Sequence, residues 1–280
     1  MNYTFIESVE DLNYLNKELL IKEELGIDTE FRRRSKDDMR LCLLQIRDKD
    51  EIYLIDCLKI NGKELDCNFF SSGKVTKIFH SYREDIEAIS SWIKDEIVNV
   101  FDTQIANAML GGSFSISYKA LVEDLLGVKI SKTETRSNWM RRPLSIAQLD
   151  YAASDVEFLI ELYSIQKRKL LETNKFHFLK EETQFLSSLK EEIDISDRTL
   201  IQKLSKIEER NLFLKFDKII KEISKQENVN PTLLLSKRNQ KDFYTKVLSK
   251  GIELTLKEFP NWKRNLLIKD IYELFDGIAK

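Results

Sequence analysis

The chain has 280 residues, 42% of them hydrophobic and 10% aromatic, with 45 Lys and Arg against 47 Asp and Glu for a net charge of −2. That length suits one large core or two modest ones, and no apolar run approaches the ~20 residues of a bilayer-spanning helix. With only two histidines, and three cysteines at spacings unlike a metal knuckle, zinc sites and Ser/His/Asp or Cys/His catalysis are poorly supplied.

The first stretch, "MNYTFIESVEDLNYLNKELL", is acidic and polar and lacks the basic start and apolar block of a signal peptide; the expectation is a cytoplasmic protein. Within it, Ser8 stands as the cap of a helix with apolar residues at helical spacing. Three strand-like runs follow, "LGIDTEF", "LCLLQIR" and "IYLIDC", the last two joined by the polar "DKDE", and together they read as an antiparallel meander. Cys42 and Cys57 fall in these runs, so Cys42, Cys57 and Cys67 are expected to be reduced core residues. In the first run, successive residues point to opposite faces, so Asp28 and Glu30 share one face and Thr29 and Phe31 the other. If that face is covered, each ionised carboxylate needs a partner. A divalent cation is one such partner; the arginines of "FRRR", or water at a sheet edge, are others.

A fourth strand, "VTKIFHS", is followed by the helix "YREDIEAISSWIKD", with Asp85 in a first turn where the helix dipole favours acids in any case. "IVNVFD" is a fifth strand, "TQIANAML" the helix after it, and "ISYKALVEDLLG" a helix that Gly127 stops. Strands first as a meander, then alternating with helices, predict an α/β domain with a mixed sheet. Residues 131–142 are polar and basic around one tryptophan and read as an exposed loop. In that loop Lys132, Arg136, Arg141 and Arg142 can hold phosphates while Trp139 stacks on a base; equally, Trp139 can pack beneath it with the arginines solvated. Beyond Pro143, Ser145 and Gln148 form a capping box opening a long helix through about Leu171. On it Tyr151 and Asp155, four residues apart, lie on one face.

Charge divides the chain. Residues 196–280 hold 18 Lys and Arg against 12 Asp and Glu, near +6, and residues 1–195 hold 27 against 35, near −8. The tail is helical by pattern in "SDRTLIQKLSKIE", "NLFLKFDKIIKEISKQEN", "NPTLLLSKRNQKDFYTKVLSK" and "NWKRNLLIKDIYELF". An acidic body with a basic helical appendage suits a polyanionic partner. The expected division is residues 1–190 and 196–280.

The series "IDTEF", "HSYREDIEAI", "FDTQIANAML", "YAASDVEFLIELY" resembles the motifs of the DEDD exonucleases, their tyrosine subgroup, and within it the ribonuclease D family, over most of residues 1–170. The tail, through "VNPTLLLSKRNQKDFYTKVL" and "FPNWKRNLLIKDIYELF", looks like one HRDC domain, with Asn261 where that family often has glycine before the tryptophan. The resemblance implies a ribonuclease H-like α/β exonuclease domain followed by an all-α HRDC-like domain. It also implies a 3′→5′ exoribonuclease, releasing nucleoside 5′-monophosphates from structured RNA such as tRNA precursors. By motif, it assigns Asp28, Glu30, Asp85 and Asp155 to two divalent metal ions, Mg²⁺ or Mn²⁺, adds Tyr151 to the site, and makes Asp102 a support of it. Oxygen donors suit those ions, and paired metals suit phosphodiester hydrolysis. A phenol, titrating ordinarily near ~10, aims water better than it deprotonates it. The alternatives are a DNA exonuclease and a catalytically inactive RNA-binding or scaffolding protein; Tyr151 disfavours the histidine subgroup that clears oligonucleotides. A monomer without membrane attachment is expected.

Overall fold

The computed structural model describes residues 2–35, 38–130, 137–188 and 204–276. In chain order it runs β1 (Thr4–Ile6), α1 (Val9–Leu19), β2 (Glu24–Ser35), β3 (Asp38–Arg47), β4 (Ile52–Asp56), a 3₁₀ turn (Gly62–Glu64), α2 (Asn68–Ser71), β5 (Thr76–Phe79), α3 (Arg83–Trp92) and β6 (Val100–Asp102). Helices complete it: α4 (Thr103–Met109), α5 (Tyr118–Leu126), α6 (Ile146–Val156), α7 (Leu159–Glu172), α8 (Phe176–Ser188), α9 (Lys206–Gln226), α10 (Pro231–Leu235), α11 (Lys237–Lys250), α12 (Ile252–Leu256) and α13 (Asn261–Leu274). Two compact units result, the first of residues 1–106 and 115–169, the second of 107–114 and 170–280. The second therefore begins ahead of residue 196 and includes α8.

In the first unit a single mixed sheet has the order β1-β4-β3-β2-β5-β6. The expected meander is present as β2, β3 and β4, antiparallel in turn, while β5 lies parallel to β2 and β6 parallel to β5. The edge strand β1, parallel to β4, is a strand that sequence pattern does not predict, because three residues carry no readable alternation. Between β2 and β3 the register jumps from Glu30↔Leu43 to Phe31↔Leu41. Cys42 is thus the extra residue of a bulge, a device that bends a strand and re-aims its side chains.

The local signals that start and stop helices act as their chemistry dictates. Ser8 accepts from the Asp11 amide at the start of α1, and Gly127 closes α5 in the left-handed region at φ 71°, where a side chain would be strained. Ser145 and Gln148 form a complete capping box on α6. The long helix expected from there to Leu171 is instead two, α6 and α7. At the break the Phe158 amide donates to the Tyr118 hydroxyl, 2.9 Å away, so its hydrogen bond goes outside the helical ladder. Gly26 on β2 lets α7 approach: a Cβ there would meet the Leu159 Cβ at 2.9 Å. Cys42, Cys57 and Cys67 are buried free thiols.

The second unit is all-helical. Its core holds Phe216, Phe243 and Phe275 in mutual edge contacts, and the buried Trp262 stacks on Phe178. Glu182, itself buried, accepts from the Trp262 indole at 2.9 Å and from Lys263 at 2.7 Å, while Glu181 accepts from the Trp262 amide at 2.8 Å. Residues 107–114 join this unit through Asn230, whose amide donates to the Ala108 carbonyl and whose side chain donates to the Gly112 carbonyl. Asn230 also caps α10, with Pro231 at its first turn, where a missing amide hydrogen costs nothing. The first predicted tail helix, residues 196–208, lies outside the described residues as far as 203; its last residues instead open α9, which starts at Lys206 on a capping box of Ser205 and Glu208 and runs on through the second predicted helix. No described helix is long and apolar enough to cross a membrane.

Candidate active site

Strand alternation puts Asp28 and Glu30 on the face of β2 that α6 and α7 cover, the same face as Gly26. From α6, Asp155 reaches this face, and carboxylate oxygens of Asp28, Glu30 and Asp155 lie within 4.8 Å of one another. Three partly buried acids this close raise one another's pKa and hold protons when no cation is present. Burial, then the charges of Asp85, Asp155 and Glu30, lifts the Asp28 carboxyl well above the usual range. Burial, then Asp155 and Asp85, lifts Glu30 to about 8. Asp155 is lifted by burial to about 6, opposed by the Lys119 ammonium and a hydrogen bond from Tyr151.

Asp85 arrives differently. It comes from the first turn of α3 and accepts from the hydroxyl of Thr29, the residue between Asp28 and Glu30, at 2.5 Å. Its oxygens are not among the three that cluster, yet its charge adds to the lift of both, and burial raises Asp85 itself to about 7. Asp102 is fully buried and caps backbone: it accepts from the amides of Tyr82, Gln104 and Ile105 at 2.7, 2.8 and 2.8 Å. That fixes the turn entering α3, three residues before Asp85.

Tyr151 lies one turn before Asp155. Its hydroxyl titrates above the ordinary phenol range, pushed by burial and by Asp155 and Glu30, so it is a donor and not a base at neutral pH. The ammonium of Lys119 on α5 lies over its ring, 5.0 Å from the centroid. Lys119 had no sequence signal, being one lysine on an amphipathic helix. The α5 that carries it is held by Tyr118 on Phe158 and by His80, whose Nε2 bonds the Ile116 carbonyl at 3.0 Å.

The loop residues separate. Lys132 and Arg136 lie outside the described residues. Trp139 is buried, its ring 6.2 Å from that of Tyr151, so it packs beneath the loop instead of standing ready to stack on a base. Arg142 grips the fully buried Asp56 with both arms of its guanidinium, at 2.6 and 2.7 Å, and donates to the Cys42 and Trp139 carbonyls. That guanidinium is a clamp closing the loop onto β3 and β4, with no arm left for a phosphate. Arg141 is exposed.

The donors of the cluster are all carboxylate oxygen, which suits hard divalent cations of the Mg²⁺, Mn²⁺ type and not soft ones. A cation there relieves the repulsion that the raised pKa values record, so the residues fit such an ion.

The chain is similar in sequence and in fold to known proteins. The sequence profile described as 3′-5′ exonuclease matches residues 3–171. Ribonuclease D of Xanthomonas oryzae pv. oryzae is 36% identical over 170 residues, 61% of this chain and 47% of that protein; the chain spans about half the length of the curated relatives it matches. Among solved structures, RNase D of Escherichia coli, described as an exoribonuclease involved in structured RNA processing, superposes with a TM-score of 0.82 over 100% of both chains at 19% identity. That likeness establishes the shared fold. Brucella melitensis NrnC with bound Mg²⁺ is 26% identical with a TM-score of 0.58, over 71% of this chain and 100% of that one.

Proposed function

Belonging as it does to the 3′-5′ exonuclease family, the chain is, we propose, a metal-dependent 3′→5′ exoribonuclease that trims RNA 3′ ends one nucleoside 5′-monophosphate at a time. The observation that carries this reading is the triad of Asp28, Glu30 and Asp155, three oxygen ligands within 4.8 Å, with a protonated phenol one turn from the third. The ribonuclease D relatives support RNA as the substrate, and tRNA precursors with 3′ extensions are the substrate class we infer.

Asp28, Glu30 and Asp155 would hold the metal directly and Asp85 would complete its surroundings, with two ions of Mg²⁺ or Mn²⁺ as the proposed complement. When bound, such ions supply a hydroxide nucleophile at neutral pH and neutralise charge on the phosphoryl oxygens. The chain's own part is to aim and to exclude. Tyr151 keeps its proton, hydrogen-bonds Asp155 and can orient the attacking water through its hydroxyl. Trp139 walls its ring on one side, and Thr29 fixes the rotamer of Asp85. Asp102 and His80 hold the backbone on which Asp85 and α5 sit.

The test is product analysis on an unstructured RNA and a DNA of matched sequence, each incubated with Mg²⁺ and with Mn²⁺. Release of 5′-mononucleotides from the RNA, and slower release from the DNA, supports the proposal. Faster DNA hydrolysis makes the chain a DNA exonuclease, and no hydrolysis of either supports a binding or scaffolding protein.

A further inference from the structure

We propose that Arg32 and Arg40 form a phosphate subsite for the RNA strand beside the carboxylate cluster, an inference that rests on the exoribonuclease reading. Arg32 follows Glu30 by two residues in β2. The extra residue of the bulge is Cys42 on β3, so the alternation of β2 runs on unbroken and Arg32 shares the face of Asp28 and Glu30. Its neighbour Arg33 confirms the parity, since it binds Glu84 and Glu87 of α3, on the side of Thr29. One strand repeat, about 7 Å, separates Arg32 from Glu30.

Arg32 and Arg40 are directly opposed in the ladder, an arrangement in which like charges repel. Four other arginines of the unit meet carboxylates: Arg33 as above, Arg34 with Asp38, Arg47 with Glu161 and Arg142 with Asp56. Neither Arg32 nor Arg40 has an ion pair among the described residues. The Arg32 Nε is buried without a hydrogen-bond partner, whereas buried polar atoms are ordinarily satisfied. Arg40 is exposed. Two opposed guanidinium forks, one with an orphaned donor, have no paired carboxylate among the described residues, and a phosphodiester accepts from such forks in a planar, charge-assisted geometry. An RNA whose 3′ end lies at Asp28, Glu30 and Asp155 has its next phosphates within reach of this pair. The arginines that sequence alone would spend on neutralising Asp28 and Glu30 are thereby divided: Arg33 braces α3, and Arg32 serves the substrate.

The test is fluorescence anisotropy of a 5′-labelled single-stranded RNA of ten nucleotides, in EDTA, as a function of salt. The full chain, R32Q, R40Q and the two Lys variants are compared; Arg40 is exposed, so R40Q guards against a folding failure of R32Q. Each Gln variant is expected to weaken binding roughly tenfold at low salt, the worth of a charge-assisted hydrogen bond, and to lower the salt slope by roughly 0.7 for each phosphate no longer neutralised. The Lys variants should recover the slope. In kinetics, kcat/KM should fall further on this RNA than on the p-nitrophenyl ester of uridine 5′-monophosphate, which has no upstream phosphate. Unchanged salt slopes in both Gln variants, or an equal fall on RNA and ester, would overturn the subsite. If the unaltered chain hydrolyses neither substrate, the exonuclease reading fails, and the binding arm still decides the subsite.

Discussion

Replacing Glu30 by glutamine should stabilise the metal-free protein at alkaline pH, an unusual outcome for a change at an active site. Glu30 is held at about 8 against an ordinary 4.5, first by burial and then by the charges of Asp155 and Asp85. Because the folded state keeps the proton that the unfolded chain gives up, stability falls as pH rises from about 4.5 to about 8. At about 1.4 kcal/mol per pH unit, the ionised side chain costs the metal-free fold roughly 3–5 kcal/mol once pH exceeds 8. Glutamine has the same shape and no charge. In EDTA at pH 8.5, E30Q should therefore melt above the unaltered protein by order ten degrees, at ~2–4 °C per kcal/mol, while at pH 4.5 the two should agree closely. Saturating Mg²⁺ should narrow the gap, since ligand at 100 times its Kd adds about 2.7 kcal/mol to the form that binds it. The assay is a thermal melt followed by circular dichroism across pH, with and without metal. A variant no more stable than the unaltered chain at pH 8.5 in EDTA would mean that the carboxylates carry no stored repulsion, and the electrostatic basis for a metal at this site would fall.

Y151F keeps the packing against Trp139 and the ring under Lys119 but removes the hydroxyl, so kcat on RNA should fall ~10²-fold, the lower end for a positioned proton donor, with the melting temperature nearly unchanged. R142A strands Asp56, fully buried and gripped at 2.6 Å, and should cost about 3–5 kcal/mol in a denaturant titration; R142K should recover little, because an ammonium cannot span both oxygens. E182A leaves the Trp262 indole and Lys263 without their buried acceptor, and should destabilise the second unit by about 3 kcal/mol, read from near-ultraviolet tryptophan signals on heating.

What the sequence discloses is what depends on neighbours in the chain. The alternation at Asp28 and Glu30, the four-residue step from Tyr151 to Asp155, the capping box at Ser145 and the stop at Gly127 are local, and each is present in the fold. What it hides depends on distant partners. The break between α6 and α7 is set by the Tyr118 hydroxyl, forty residues from the Phe158 amide it accepts. Arg142 reads as a phosphate ligand until Asp56, eighty-six residues earlier, claims both its arms. The side from which Asp85 meets β2 follows from how α3 packs, which the motif alone does not reveal. Lys119 enters the site only because α5 is pinned by His80 and Tyr118.

If the acids of β2 and α6 hold catalytic metal, cleavage of a 3′-extended RNA labelled at its 5′ end will show it. With Mg²⁺ or Mn²⁺ the unaltered chain should give a ladder shortening from the 3′ end, absent in EDTA. D28A and D155A should each lower the rate at least ~10²–10³-fold, as loss of a key transition-state stabiliser does, while remaining folded. Metal-independent cleavage, or a ladder that persists at the original rate in D28A and D155A, would mean that these acids hold no catalytic metal.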